Sequence, residues 1–348
     1  MFSHPLDQLR LLIVVDNETD TLSSVDEGVP QIPEMAHHLA RVPATRSTSE
    51  GHTCHPTYEH LCVACHGFSV LVTGRRGAEE RTMLFDVGPS PTVWRENAAR
   101  LGVDLAAIEV IFLSHWHFDH SGALPEVAAD VAAARRKAGR AEPLVVDLHP
   151  DRPDQRGVLM PGGRMMLLPN EPTVRAIEGG GAVVGLHAGP HLLCGGFFFG
   201  SGAIPRVTAY ETGLDGHYSF RGEASTPDPL IMDERFLAAR VRGRGVSLLS
   251  ACSHAGIVNV GLGAQEAFPG EPIDVLLGGY HLSGKVMEQR IAATVRDLSA
   301  LVRPRLVAPG HCTGWRAKAA LAAAFAPGRY GPSVVGSEYV LEGEGAAS

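Results

Sequence analysis

FLSHWHFDHSGAL, residues 112–124, places three histidines and an aspartate within six positions, directly after an apolar run. Such polar groups are unfavourable inside a hydrophobic core unless they are paired or bind a ligand. Three interpretations compete: a metal site, an acid/base dyad and a solvated, histidine-rich turn. A dyad does not need four groups so closely spaced, and a solvated turn is not expected directly after a run as apolar as 110–113. The stretch therefore predicts a metal site.

The spacing of the four side chains suits two neighbouring cations. His115 and His117 point the same way on an extended segment, because side chains alternate along a strand. Asp119 and His120 come after the strand end, where they address an adjacent point. Imidazole and carboxylate are good ligands for zinc and also bind iron or manganese. We expect one or two divalent ions, zinc first.

The same pattern recurs at four places along the chain. A short apolar strand ends and a histidine or aspartate follows at once, at Asp86, in 115–120, at His254 and at His311. In α/β folds the loops at the carboxyl ends of strands meet at one edge, where sites are built. The four segments are therefore expected to form one site.

Composition limits the class of protein. The 348 residues are 45% hydrophobic and 20% charged with a net charge of -8, which predicts one α/β domain over 1–340. A loop-rich insertion is expected near 150–230 and a flexible tail at 341–348. The acidic charge argues against a nucleic-acid partner. No apolar run approaches the ~18 residues of a membrane span, and no secretory signal is evident.

From these features we expect a cytoplasmic protein that acts on a small molecule. The six cysteines agree with this, because a chain of this size has no need of disulfides. The composition leaves open whether it forms a homo-oligomer.

Local patterns predict most of the elements. Strands are expected at Leu11–Val15, 68–73, 82–86, Val110–Leu113, Leu144–Leu148, Gly245–Ser250, Asp274–Leu277 and Arg305–Ala308. Helical spacing is present at Val93–Leu101, at Pro125–Ala138 and near Asp233–Val241. Residues 20–60 have no steady period and read as an extended loop or insertion.

SHWHFDHSGAL resembles the HxHxDH signature of the metallo-β-lactamase superfamily, with a strand before it and a helix after it. The segments HGFSVLV, LFDVG, SGAIPRVTAYETG, CSHAGIVN, GGYHL and PGHCTG resemble one branch of that superfamily. The branch is named after 7,8-dihydropterin-6-methyl-4-(ribofuranosyl)aminobenzene-phosphate synthase. The resemblance covers nearly the whole chain and implies an αββα sandwich with a metal centre at one edge.

The resemblance also implies a set of metal ligands. His115, His117 and His254 would hold one metal, and Asp119, His120 and His311 a second. The superfamily's usual third histidine has no counterpart in 201–206, so His254 is the substitute. The usual bridging aspartate is missing where this chain has Cys252-Ser-His254, which leaves the number of metals open. His281 is a second candidate ligand or a contact to substrate.

The implied activity is a metal-dependent hydrolase that acts on a phosphorylated or otherwise anionic small molecule. No Ser, Cys or Lys lies in a recognisable nucleophile context, so the nucleophile is expected to be a metal-activated water. Asp119 and His281 are the expected catalytic residues. The alternative is a transferase that joins a dihydropterin diphosphate to an aryl amine. A further alternative is a metal-dependent sensor or redox protein without catalysis.

Other signals are less specific. Arg206, in the IPR segment, and His149 are candidate substrate-binding residues for an anionic group, although a structural ion pair and a solvated loop explain them as well. Asp86 is expected to support the site rather than bind metal. The cluster His52, Cys54, His55, His60, Cys62 and Cys65 offers a possible structural zinc site, but its spacing is irregular and a loop of free side chains fits better.

Overall fold

A computed structural model describes residues 4–42, 46–49, 51–53, 55 and 57–345. These residues form twenty strands: β1 Gln8–Val15, β2 Gln31–Ile32, β3 Arg46–Thr48, β4 Gly51–Thr53, β5 Ser69–Arg76, β6 Glu79–Phe85, β7 Ile108–Phe112, β8 Val145–Leu148, β9 Gln155–Met160, β10 Arg164–Asn170, β11 Val183–Leu186, β12 His191–Leu193, β13 Phe198–Gly200, β14 His217–Arg221, β15 Ala224–Pro227, β16 Leu237–Val241, β17 Gly245–Ser250, β18 Ile273–Gly279, β19 Leu306–Gly310 and β20 Glu338–Glu342. The same residues form eight α-helices: α1 Glu34–Arg41, α2 Pro91–Leu101, α3 Phe118–Ser121, α4 Leu124–Lys137, α5 Val174–Gly179, α6 Ile257–Ala267, α7 Ile291–Asp297 and α8 Trp315–Phe325. None of these helices has the length and apolar character needed to cross a membrane.

Two large sheets pack face to face. One has the strand order β11-β8-β7-β6-β5-β1-β20-β2 and the other the order β12-β13-β16-β17-β18-β19. Side-chain alternation along β1 explains how a sheet is covered on both faces. Leu11 and Ile13 are buried between the sheets, whereas Leu12 and Val14 are buried on the opposite face, under helices.

Helices cover the outer face of each sheet. Trp94 of α2 and Val127 of α4 pack on the first sheet, and Val258 of α6 and Leu321 of α8 pack on the second. The order of layers is helix, sheet, sheet, helix. The expected αββα sandwich is therefore confirmed, and the loops at its strand ends are held between two rigid sheets.

A smaller sheet arises from the segment near 150–230, where an insertion was expected. Its strand order is β10-β9-β14-β15, and all four strands are joined by antiparallel pairing. His217 at the start of β14 is buried and touches the histidine-rich loop described below. The small sheet therefore supplies one wall of the site.

The helical pattern near Asp233–Val241 was a wrong prediction. Leu237–Val241 is a strand that pairs with β17 along its whole length. Leu237, Ala239 and Val241 are buried between the sheets, so every second side chain of this segment faces the same side, as in a strand. Pairing with a neighbouring strand outweighs the local helical preference of an alanine-rich segment.

Two other boundaries differ from expectation. Residues 20–60 were predicted to be a loop, yet they contain α1, in which Glu34 and His38 are buried. The tail predicted at 341–348 begins later, because Leu341 and Glu342 pair with Leu9 and Gln8 in β1. Residues 346–348 lie outside the described part of the chain.

Candidate metal centre

The carboxyl ends of five strands meet at one edge of the sandwich. Asp86, His115, His254, His281 and His311 follow β6, β7, β17, β18 and β19 in turn. The loops after β7, β17, β18 and β19 open towards a cavity of about 730 Å³, whose lining includes His117, Asp119, His254, His281 and His311. The four segments predicted from the sequence do form one site.

The first histidine group contains the three residues expected at one metal. His117 Nδ1 lies 2.9 Å from His115 Nε2 and 3.1 Å from His254 Nε2. Burial, and then the neighbouring histidines and other cationic side chains, hold the pKa of all three well below the usual range. Neutral imidazoles keep a free lone pair, which is the form that binds metals.

His217 is a fourth member of this group and was not predicted. Its Nε2 lies 2.9 Å from His117 Nε2, and its Nδ1 faces the carbonyl oxygen of Asp228 at 2.8 Å. No sequence signal marks it, because it comes from the small sheet, a hundred positions after His117.

The second group contains Asp119, His120 and His311. The Asp119 carboxylate oxygen Oδ2 lies 3.3 Å from His311 Nε2 and 3.5 Å from His120 Nε2. Burial would raise the pKa of Asp119, but the two histidines hold it well below its usual range. Burial alone would lower the pKa of His120, yet the carboxylates of Asp119 and Asp86 raise it to about 9.

Cys252 stands between the two groups. Its sulfur lies within 4.8 Å of the ligand atoms of Asp119, His120 and His311, and also of those of His115 and His254. The Sγ atom is 3.3 Å from His120 Nε2. Cys252 thus occupies the position where the resemblance calls for a bridging carboxylate. Cys252 was not a predicted ligand, although its position two residues before His254 could have indicated it.

Carboxylates outside the cavity orient the ligand loops. Asp86 accepts hydrogen bonds from Ser114 N and Ser114 Oγ, both at 2.7 Å, and its Oδ2 lies 2.8 Å from His120 Nδ1. Asp16 accepts from the backbone N–H of His311 at 2.7 Å. A carboxylate on the far ring nitrogen fixes which nitrogen of a histidine faces a metal. The structure thus places Asp86 in the supporting position expected for it.

The donor set fits divalent cations. His254 Nδ1 and His281 Nδ1 are buried and have no hydrogen-bond partner among the described residues. Imidazole nitrogens, a carboxylate and a thiol lie in direct contact in a buried region. This arrangement is unfavourable in free energy unless the groups share a cation. Two histidine groups joined by Cys252 suit one or two ions, and the nitrogen and sulfur donors favour zinc.

Arg206 and His149, predicted to bind substrate, do not line the cavity. Arg206 donates instead to the carbonyl oxygens of Leu230 and His254, the latter at 3.4 Å. The ring of His149 accepts from Asp151 N at 3.2 Å on the outer side of its loop. Both side chains are therefore hydrogen-bonded to backbone groups. Within the described part of the chain, no Lys or Arg lines the cavity.

The cysteine and histidine cluster at 52–66 lies only partly within the described residues. Cys54 and the side chain of His52 are outside them. Cys62 is buried in the core under α2, and His60 Nδ1 faces the hydroxyl of Thr57 at 2.9 Å. His66, at the end of this segment, belongs to the cavity, where its Nε2 lies 3.4 Å from Asp119 Oδ2.

Comparison with known proteins finds one family model and two relatives. Residues 62–204 match the model of the metallo-β-lactamase superfamily. The chain is 26% identical over 256 residues to 7,8-dihydropterin-6-methyl-4-(β-D-ribofuranosyl)-aminobenzene-5'-phosphate synthase from Methanocaldococcus jannaschii, which covers 73% of this chain and 82% of the relative. An uncharacterized protein of the same organism is also 26% identical, over 73% of this chain and 86% of its own length.

Solved structures of similar fold are more distant. The metallo-β-lactamase fold protein YhfI from Bacillus subtilis is 11% identical and covers 97% of this chain and 100% of its own, with a TM-score of 0.45. The metallo-β-lactamase MIM-1 from Novosphingobium pentaromativorans is 14% identical over 74% of this chain and 82% of its own, with a TM-score of 0.33.

Proposed function

We propose that this chain, which has the metallo-β-lactamase fold, is a metal-dependent hydrolase of small molecules. The observation that carries the proposal is the convergence of two ligand groups on Cys252 at the base of one cavity. A purely structural metal site has no need of a cavity, whereas a catalytic site keeps a position open to substrate.

The side chains have distinct roles in this proposal. His115, His117 and His254 would hold one cation, and Asp119, His120 and His311 a second, with Cys252 between them. When bound, such cations polarise carbonyl or phosphoryl oxygens and lower the pKa of water. Asp119 faces the cavity and is positioned to accept a proton and to orient a water molecule. His281, also in the cavity lining, is the candidate proton donor to a leaving group.

The cavity lining indicates the kind of substrate. The lining includes a set of apolar side chains, hereafter the apolar wall: Val158, Leu168, Pro169, Leu214 and Trp315. Because the lining within the described residues lacks Lys and Arg, an anionic group would be bound by the metal centre itself. We therefore propose a substrate with a phosphoryl or other anionic group at one end and an apolar or aromatic body at the other.

A transferase is the second candidate, and the name of the Methanocaldococcus relative favours it. In that case an aryl amine would replace water as the attacking group. The apolar wall suits an aryl amine as well as it suits the body of a hydrolysed substrate, so the lining accommodates both.

Release of phosphate and pyrophosphate distinguishes the two candidates. The zinc- or manganese-loaded protein is incubated with a panel of phosphoesters and with a dihydropterin diphosphate, with and without an aryl amine. Release without the amine is the result expected for a hydrolase. Release that requires the amine and yields a coupled product would replace the proposal with the transferase. Absence of release from every substrate, with metal bound, would contradict both.

A further inference from the structure

Three side chains follow three neighbouring parallel strands, each at the same number of residues after the end of its strand. Cys252, His281 and Cys312 each lie two residues beyond the last residue of β17, β18 and β19. These strands pair in parallel in this order. Since the carboxyl ends of parallel strands meet at one edge, the common offset brings the three side chains together.

The three groups are in ligand range of one another. The sulfurs of Cys252 and Cys312 are 3.4 Å apart, and a ring nitrogen of His281 lies within 4.8 Å of both. Both cysteines are free thiols. His281 Nδ1 is buried without a hydrogen-bond partner among the residues that the structure describes. Two sulfurs and an imidazole ring thus meet at one point, an arrangement that a shared ligand or proton stabilises.

The backbone is shaped to permit this approach. A Cβ at Gly279 would lie 2.7 Å from Cys312 Sγ and too close to the Ala251 carbonyl oxygen, so only glycine leaves room for the sulfur. His281 has φ 46° and His311 has φ 44°, a left-handed conformation that is unfavourable for residues other than glycine. Strained residues of this kind cluster at functional sites.

We propose that Cys252, His281 and Cys312 form a thiolate metal site beside the two histidine groups. Two sulfurs and one imidazole nitrogen select thiophilic ions, such as zinc or iron, over magnesium or calcium. All three residues line the cavity, so an ion that they held would be accessible to a molecule in the cavity. The site rests on the proposed function through Cys252, which it shares with the histidine groups, and it gives His281 the role of a ligand in place of that of a proton donor.

Cobalt binding tests the proposal without any need for turnover. Metal-free, reduced full-length protein is titrated with Co²⁺, and the thiolate-to-cobalt charge-transfer absorption is recorded along with the metal content. The proposal predicts that Cys312→Ser loses about one equivalent of metal and much of the absorption. Cys62→Ser is the matched control, because Cys62 is a buried thiol outside the cavity, and it should change neither.

Two outcomes would overturn the site. One is a Cys312→Ser protein with the metal content and absorption of the wild type. The other is a Cys252–Cys312 disulfide, found by mass spectrometry, that persists in the metal-loaded protein under reductant. His281→Gln provides a second test if Cys312→Ser does not fold, and it should also lower the metal content and the absorption. Loss of metal in His311→Ala with no effect of Cys312→Ser would remove this site and leave the proposed hydrolase intact.

Discussion

Replacement of Arg235, which does not line the cavity, by Met should destabilise the protein strongly. Arg235 is fully buried. Its guanidinium donates to Asp147 Oδ1 at 2.7 Å and to the Leu113 carbonyl oxygen at 2.7 Å, and its cationic centre lies 4.2 Å from the ring centre of Phe112. Arg235→Met removes the charge, keeps most of the volume and leaves the Asp147 carboxylate buried without its guanidinium partner.

The expected cost follows from the burial of that carboxylate. Removal of one partner from a buried ion pair costs about 3–5 kcal/mol. His187 Nδ1 and His191 Nε2 also contact Asp147 Oδ2, at 2.6 and 2.9 Å, so the lower end, about 3 kcal/mol, is expected. For a chain of 348 residues, an unfolding entropy of about 2.1 cal/mol/K per residue converts this into a decrease in Tm of roughly 4 °C. The measurement is thermal and urea unfolding of the metal-free protein.

Arg95→Met is the matched control. Arg95 pairs with Asp130 through contacts of 2.5 and 3.2 Å, a geometry as good as that of the buried pair, but both side chains are partly exposed. Exposed pairs contribute about 0–1 kcal/mol. Equal decreases in Tm for the two variants would refute the argument, since burial would then not be what makes the Arg235 pair important.

Four further variants test the site and its surroundings. His120→Ala and His311→Ala should each lower metal content and abolish activity while Cys62→Ala does neither, and normal metal content in the His311 variant would remove it from the ligand set. Burial raises the pKa of Glu171 from 4.5 to about 7, so this group should cost the metal-free wild type about 2–3 kcal/mol of unfolding free energy as the pH rises from 5 to 8. Glu171→Gln should remove that loss, and parallel urea titrations with identical pH dependence would contradict the assignment. Gly279→Ala should lower cobalt absorption, because its Cβ would displace a sulfur; an unchanged spectrum would show that the loop adapts.

The sandwich could be predicted from the sequence because its strands are marked by local runs of apolar residues. The apolar runs at 110–113 and 11–15 are local patterns, and each appears in the structure as a strand whose limits are within three residues of the predicted ones. The segment at 233–241 failed for the opposite reason. One pairing partner, β17, follows after a short turn, but the other, β13, lies 39 positions earlier in the sequence (Phe199 pairs with Ala238). Local spacing does not contain that second pairing.

The site was predicted to the extent that its residues follow strands. His254 and His311 were placed correctly in the cavity by this rule. Cys252 and Cys312 follow the same rule but are not among the predicted ligands, which are histidine and carboxylate side chains. Arg206 was assigned to the cavity by motif alone, and its side chain turns to backbone carbonyl oxygens instead. A position in sequence identifies a loop, but only the packing determines which way its side chain points.

The segment that was mistaken for a helix explains how the two histidine loops are held together. Asp233 accepts from the backbone N–H of Trp116 at 2.7 Å, and Glu234 accepts from that of His254 at 2.8 Å. The backbone N–H of Arg235 donates to the Ser114 carbonyl oxygen at 2.9 Å. Asp233 and Arg235 thus bind the loop after β7, and Glu234 between them binds the loop after β17. On a helix these three residues would project at successive angles of 100° and their backbone groups would bond within the helix. Only an irregular, buried segment can join both loops at once, so damage here should disturb His115, His117 and His254 together.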